Sequence, residues 1–189
     1  MTSWMVFVSV MATFLAVKAQ VDSPGQCDTI TSTIATNFDF TQAHGMWYEQ
    51  STFNQINLKC FNHNMSTDAL GQMEVFTQYV NLDDGKLYLD DGVLVYADAS
   101  GDGKFEVNYG VAGFHPYWVL GTDYTSYAVT WGCVQKTPGQ TTQESGVLTR
   151  EINPSAATLA AVQAVLDANP GLNQNSYRTV THTNCPIYP

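Results

Sequence analysis

Positive charge is what this chain has least of: 7 Lys and Arg stand against 17 Asp and Glu in 189 residues, a formal net charge of −10. With no basic run to interrupt that field, a phosphate backbone or an anionic membrane surface is repelled, and nucleic-acid binding is excluded as a function class. Charged residues of both signs amount to only 13%, while apolar residues make up 44%, the balance of a folded domain and not of a disordered chain. The catalytic signatures are missing as well. There is no Gly-x-Ser-x-Gly elbow, no His-Glu-x-x-His pair and no phosphate-cradling loop. His44, His63, His115 and His182 lack metal-ligand spacing, and the four cysteines contain no close pair of the kind a zinc site needs. Asp98-Ala99-Ser100-Gly101-Asp102-Gly103 imitates the start of a calcium loop. Its twelfth position is Tyr109 where a bidentate Glu belongs, so it reads as a hairpin turn.

Long apolar runs are also absent, except at the start. Met5 to Val17 is uncharged and apolar, shorter than the ~20 residues a spanning helix needs, and ends in Val17-Lys18-Ala19. Residues 1–19 are therefore expected to be a secretory signal peptide, with one domain over 20–189. Cys27, Cys60, Cys133 and Cys185, even in number and far apart, fit an exported protein with two disulfides, whose connectivity has three possibilities on spacing alone. Asn64-Met65-Ser66 is the one usable N-glycosylation sequon, since Asn153 precedes Pro154.

From Met46 to Ile152 the chain is a succession of β-favouring runs: 46–53, 60–66, 73–82, 86–90 continuing to 93–97, 104–109, 117–121, 127–134 and 146–152. Turn chemistry separates them at Asp83-Asp84-Gly85, Ala99 to Gly103 and Thr137-Pro138-Gly139. Evenly spaced strands without intervening helices predict an all-β antiparallel meander, closed as a barrel or packed as a sandwich. After Asn153-Pro154-Ser155, apolar Ala156, Leu159, Val162, Val165 and Leu166 fall at helical spacing, which predicts one amphipathic helix of about 14 residues before Asn169-Pro170-Gly171. A short β-like piece, Tyr177 to Thr181, leads to Cys185.

Three separated motifs then coincide. Gly45-Met46-Trp47 opens the first strand, Thr122-Asp123-Tyr124 precedes the strand holding Cys133, and Arg150 ends the last strand before the helix. In this order they resemble the signature regions of the kernel lipocalins. The stretch from Pro116 to Tyr124, with Thr179-Val180-Thr181 before Asn184-Cys185-Pro186, resembles the branch that holds apolipoprotein D, the insect bilin-binding proteins and the crustacyanins. The resemblance implies an eight-stranded antiparallel up-and-down barrel with the C-terminal helix packed outside. It further implies that Trp47 plugs the closed end under Arg150, and that Cys27 pairs with Cys133 and Cys60 with Cys185. The function it implies is that of a secreted carrier, not an enzyme, binding a small hydrophobic molecule for transport, storage or coloration. The expected guests are a bilin, carotenoid, sterol or fatty acid. No cofactor is required, though a biliverdin-type bilin or carotenoid would serve as a bound chromophore. The rival is an isomerase or de-epoxidase of the same fold acting on a similar guest. Monomer and homo-oligomer stay equally open.

A barrel of eight strands either fills with its own side chains or holds one small ligand. If Cys133 faces outward, alternation turns Ala128, Thr130 and Gly132 inward, three small residues that leave room on one wall. Phe53, Phe61, Phe76, Tyr88, Tyr96, Tyr109 and Trp118 are the aromatic candidates for lining the site, together with Ala128 and Thr130. Lys59 and His115 are placed by loop position as the cation-capable residues nearest the mouth.

Overall fold

A computed structural model of the chain describes residues 21–24, 27, 34–53, 56–110 and 113–186; the expected signal peptide lies outside them. Eight antiparallel strands form a closed barrel in strict sequence order: β2 (Gly45–Thr52), β3 (Leu58–Thr67), β4 (Met73–Asn81), β5 (Leu87–Tyr96), β6 (Lys104–Asn108), β7 (Phe114–Thr122), β8 (Tyr127–Thr137) and β9 (Gln140–Thr149). Closure comes from β9 pairing back onto β2, with Tyr48 opposite Thr149 and Thr52 opposite Gly146. Two short strands flank this seam at its upper end. β1 (Val21–Pro24) pairs antiparallel beside β9, and β10 (Arg178–Thr179) pairs antiparallel beside β2.

The predicted meander is the observed one, and the differences in extent have local causes. β9 begins at Gln140, not near Gly146, because Gln140-Thr141-Thr142-Gln143 is polar yet β-branched, and its two threonines are fully covered by neighbouring strands. The helix α1 (Ala156–Asp167) is capped by Ser155, whose hydroxyl accepts the Thr158 amide at 3.1 Å. It packs outside the barrel on β7 and β8 through Val162, Val165 and Leu166, with Val165 against the bare Cα of Gly121; Leu159 is exposed. The Asp98–Gly103 segment is a hairpin turn in which Lys104 reaches the Asp98 carboxylate at 3.3 Å.

Disulfides join Cys27 to Cys133 and Cys60 to Cys185, across separations of 106 and 125 residues. Closing loops of that length removes chain entropy on the order of 4 kcal/mol per bridge from the unfolded state. The second bridge has a structural consequence. β2 and β3 pair only through Gly45–Tyr48 and Asn62–Met65, so they splay above that point. The chain after α1 fills the gap: Val180 donates to the Gln50 carbonyl, Cys60 donates to the Thr181 carbonyl, and Val180 is buried beside Leu58 and Tyr79.

Candidate functional site

The closed end is built around Trp47. Gly45 sits at φ 92°, a left-handed conformation open to glycine, with Arg150 Nη1 3.5 Å from where a Cβ would stand. This lets the strand turn in under the 3-10 turn Phe40–Ala43, and the Trp47 indole donates to the Ala43 carbonyl at 2.8 Å. Arg150 lies over the ring, its Cζ 3.7 Å from the centroid. Its guanidinium donates to the carbonyls of Tyr124, Met46 and Gln42, so one cation ties together three segments of the floor. Asp123 organises the adjoining turn. Burial pushes its carboxyl up, but hydrogen bonds from Ser126, Tyr127 and Thr125 outweigh this and hold it below the usual range.

Above the floor, alternation assigns every strand an inner face. Trp47 and Glu49 on β2 share that parity with Phe61, His63 and Met65 on β3, Val75, Thr77 and Tyr79 on β4, and Tyr88, Asp90, Gly92 and Leu94 on β5. The lumen is consequently layered. Its lowest level is apolar: Phe38, Phe40, Trp47, Met65, Leu94, Phe105, Val119, Ala128 and Leu148 surround a tight cavity of about 20 Å³. Phe38 and Phe40 pack on Phe105 at 5.4 and 5.9 Å between centroids, so the space between the rings is a narrow channel.

The middle level is polar. Glu49 and His63, only 4% and 5% exposed, meet at 2.7 Å through Oε2 and Nε2. The second imidazole nitrogen of His63 bonds the Thr77 hydroxyl at 3.0 Å, and Thr77 bonds the Tyr109 hydroxyl at 3.3 Å. The other Glu49 oxygen lies over Gly146 beside the Thr130 hydroxyl. Tyr117 and Thr130 mark the top of the apolar cavity, where the Tyr117 hydroxyl is sealed from solvent beside the Thr130 hydroxyl. Burial raises the phenols of Tyr109 and Tyr117 far above the ordinary tyrosine value; Glu144 and Glu49 add to this at Tyr109, and Tyr109 and Glu49 add to it at Tyr117. The third level, toward the mouth, is an aromatic row across three strands. Phe61 meets Tyr79 edge-on at 5.6 Å, and Tyr79 stacks on Tyr88 at 5.2 Å with planes 7° apart. The Tyr79 phenol is pushed up to about 12, by burial first and then by Asp90.

The aromatic and small residues singled out in the sequence divide accordingly. Phe61, Tyr88, Tyr109, Ala128 and Thr130 have inner-face positions. Four others do not line the lumen. Trp118 alternates with inward Tyr117 and Val119, so it points out and meets Trp131 at 5.4 Å beneath α1. Phe53 follows a bulge in β2 between Glu49 and Ser51 and is buried against Tyr177 at 4.5 Å in the same outer cluster. Phe76 alternates with inward Val75 and Thr77. Tyr96, at the closed end, is 44% exposed with its ring against Phe105. Gly132 opens no room, because a Cβ there would stand 2.1 Å from the Pro116 carbonyl oxygen. Lys59 is turned to the Thr183 carbonyl at 3.4 Å, while His115 shares the inward parity of Tyr117.

Glu49, His63, Thr77, Asp90 and Tyr117 escaped the sequence reading. Period-two counting from Trp47 reaches Glu49, but nothing in the order of residues reveals that His63 stands opposite it. No cluster of His, Cys, Asp or Glu suited to a metal ion occurs among the described residues, and no helix among them is long and apolar enough to cross a membrane.

Comparison with known proteins agrees with this architecture. The model of the lipocalin / cytosolic fatty-acid binding protein family matches residues 44–184. Over 194 aligned residues the chain is 26% identical to apolipoprotein D of Mus musculus, covering all of both chains. Insecticyanin from the tobacco hornworm Manduca sexta superposes with a TM-score of 0.75 at 20% identity, over 87% of this chain and 90% of that one. Lobster apocrustacyanin A1 superposes with 0.69 at 21% identity, over 86% and 92%.

Proposed function

Since the chain belongs to the lipocalin / cytosolic fatty-acid binding protein family, whose members bind small hydrophobic ligands, we propose that it is a secreted carrier loading one such molecule into its lumen. The observation that carries this reading is the apolar cavity above Trp47, roofed by hydroxyl and carboxyl groups: an apolar guest end is buried below while a polar end is oriented above. The channel between Phe38, Phe40 and Phe105 is narrow, so a bulky guest is seated higher or displaces flexible Met65. Burying about 400 Å² of apolar guest surface is worth on the order of 10 kcal/mol before association costs of at least ~4 kcal/mol, enough for micromolar binding.

In this reading residues 1–19 are removed on export and 20–189 form the carrier. Two long-range disulfides suit an oxidising compartment. Asn64, exposed on the outer face of β3, carries a glycan. Bilins, carotenoids, sterols and fatty acids are the guest classes, and a bilin or carotenoid would colour the protein. The test is mass spectrometry of the molecule extracted from protein of its native source. With it goes titration of recombinant protein with the four classes, read by quenching of Trp fluorescence and red-shifted guest absorbance. At least one class binds with a Kd near micromolar or tighter; silence from all four with nothing extractable overturns the reading.

One observation favours an enzyme instead, the acid–base pair Glu49–His63 inside the lumen. Both imidazole nitrogens are engaged, by Glu49 and Thr77, and all four cysteines are in disulfides, which leaves no nucleophile in either group. A bound guest is therefore recovered with unchanged mass and isomer composition after long incubation; conversion would establish the enzyme reading.

A further inference from the structure

The cavity over Trp47 is small. A larger one, of about 120 Å³, lies at the open end, between β10 and the chain that joins β2 to β3. Thr52, Asn57, Leu58, Arg178, Thr179 and Val180 are in its wall. Strand register shows which way it faces. Arg178 stands opposite Thr52, and Thr52 opposite Gly146, where a Cβ would meet Glu49 Oε1 at 2.9 Å inside the barrel. Directly opposed residues of neighbouring strands share a face, so Arg178 belongs to the lumen side of the rim. Its neighbours agree. Tyr177 turns the other way, onto Phe53, and Val180 is buried with Leu58 and Tyr79 at the mouth.

Arg178 is also the one described cation whose charge is unused. Lys86, Lys104 and Lys136 pair with Asp84, Asp98 and Asp22, Lys59 donates to the Thr183 carbonyl, and Arg150 donates to three carbonyls of the floor. No hydrogen bond or ion pair engages Arg178 among the described residues. In a chain of net charge −10 carboxylates are plentiful, so a guanidinium standing unpaired beside a cavity is informative. The rim acids are held by other groups: Asp83 accepts from Asn57 Nδ2 at 3.1 Å, and Asp84 from the Tyr88 hydroxyl at 2.7 Å. Asp90, inward and exposed, stands lower, opposite Thr77. Apolar surface adjoins the same cavity. Leu58 and Val180 in its wall pack with Tyr79, and Phe61, Tyr79 and Tyr88 form the aromatic row across the mouth.

Resting on the carrier reading above, we propose that this cavity holds the carboxylate end of the guest, with Arg178 as its anchor. A guanidinium offers two parallel N–H donors that match a carboxylate, and the aromatic row receives the apolar body. The guest is thus an acid, and a neutral sterol or hydrocarbon lacks this contact. The anchor comes from β10, so guest choice rests on the segment after the helix, which Cys60–Cys185 fastens, and not on the eight-stranded meander alone.

The experiment compares decanoate, decanol and decylamine, equal in chain length, by isothermal titration at neutral pH on the full chain with both disulfides intact. The carboxylate binds about three- to fivefold tighter than the alcohol, the size expected of an exposed ion pair, and the amine binds weakest. Arg178→Gln lowers carboxylate affinity to that of the alcohol and leaves the alcohol unchanged, which shows that the variant is still folded. Arg178→Lys, a charge without the fork, keeps part of the preference. Added salt narrows the carboxylate-to-alcohol ratio in the original chain but not in Arg178→Gln. Acetate, a head group without a body, does not displace decanoate at equal concentration. Acetate that competes on equal terms marks a free-anion site and overturns the guest anchor. A carboxylate bound no tighter than the alcohol, or a preference that survives Arg178→Gln, overturns it too, and so does failure of all three probes while a sterol or carotenoid binds. In each case the carrier reading stands; silence from every guest in both experiments removes that reading as well.

Discussion

Below Met65 and Val75 the barrel is held by rings and one cation: Phe38, Phe40 and Phe105 fill the floor, and Arg150 clamps Trp47 from outside. Above that level the same eight strands present Glu49, His63, Thr77, Asp90, Tyr109 and Tyr117 to the interior, and the wall between β2 and β3 is completed by a segment from beyond the helix. The floor buries apolar area and satisfies its polar atoms, so it stabilises the fold. The upper half holds a buried, hydrogen-bonded Glu49–His63 pair, a Tyr117 hydroxyl sealed from solvent and a gap beside β5, features that add less to stability than the apolar floor does.

The sharpest way to break this contrast is at the floor. Trp47→Ala removes the plug and the ring under Arg150, and it should lower unfolding free energy by about 3–5 kcal/mol in denaturant titration. Next comes the Glu49–His63 pair. His63→Leu strands the Glu49 carboxylate and should cost about 3 kcal/mol, whereas Glu49→Leu with His63→Leu recovers most of it; equal losses in single and double variants would show that the two groups do not depend on each other. Third, Cys60→Ser with Cys185→Ser should cost on the order of 4 kcal/mol and speed hydrogen exchange at Val180 more than at Trp47. Uniform acceleration over the barrel would contradict the division into two regions. The smallest effect is expected at Tyr117→Phe, which deletes a hydroxyl sealed from solvent beside Thr130 and should change the unfolding free energy in denaturant titration by no more than ~1 kcal/mol.

How much of this was legible beforehand follows the same division. The strand order, the helix and the floor could be read because turn residues punctuate the chain and Gly45, Trp47 and Arg150 sit at strand ends, where position alone gives their setting. The upper lumen could not. Its lining depends on parity, and bulges at Glu49/Ser51 and Lys59/Asn62, with Cys60 at φ 59°, shift parity at points no composition marks. Phe53 and Trp118 look like cavity residues by type, yet they face α1 and the C-terminal segment. Gln140–Ser145 looks like loop by polarity but is strand, because β1 and β8 cover it on either side.

The stave supplied by Val180 has a bearing on biosynthesis. A chain still being extended through α1 already contains Trp47, Arg150 and all eight main strands, so its floor can close; its rim cannot, because Thr181 and Cys185 are yet to emerge. The floor and the rim thus depend on different stretches of the chain, and the rim lacks one stave until the Cys60–Cys185 segment is in place.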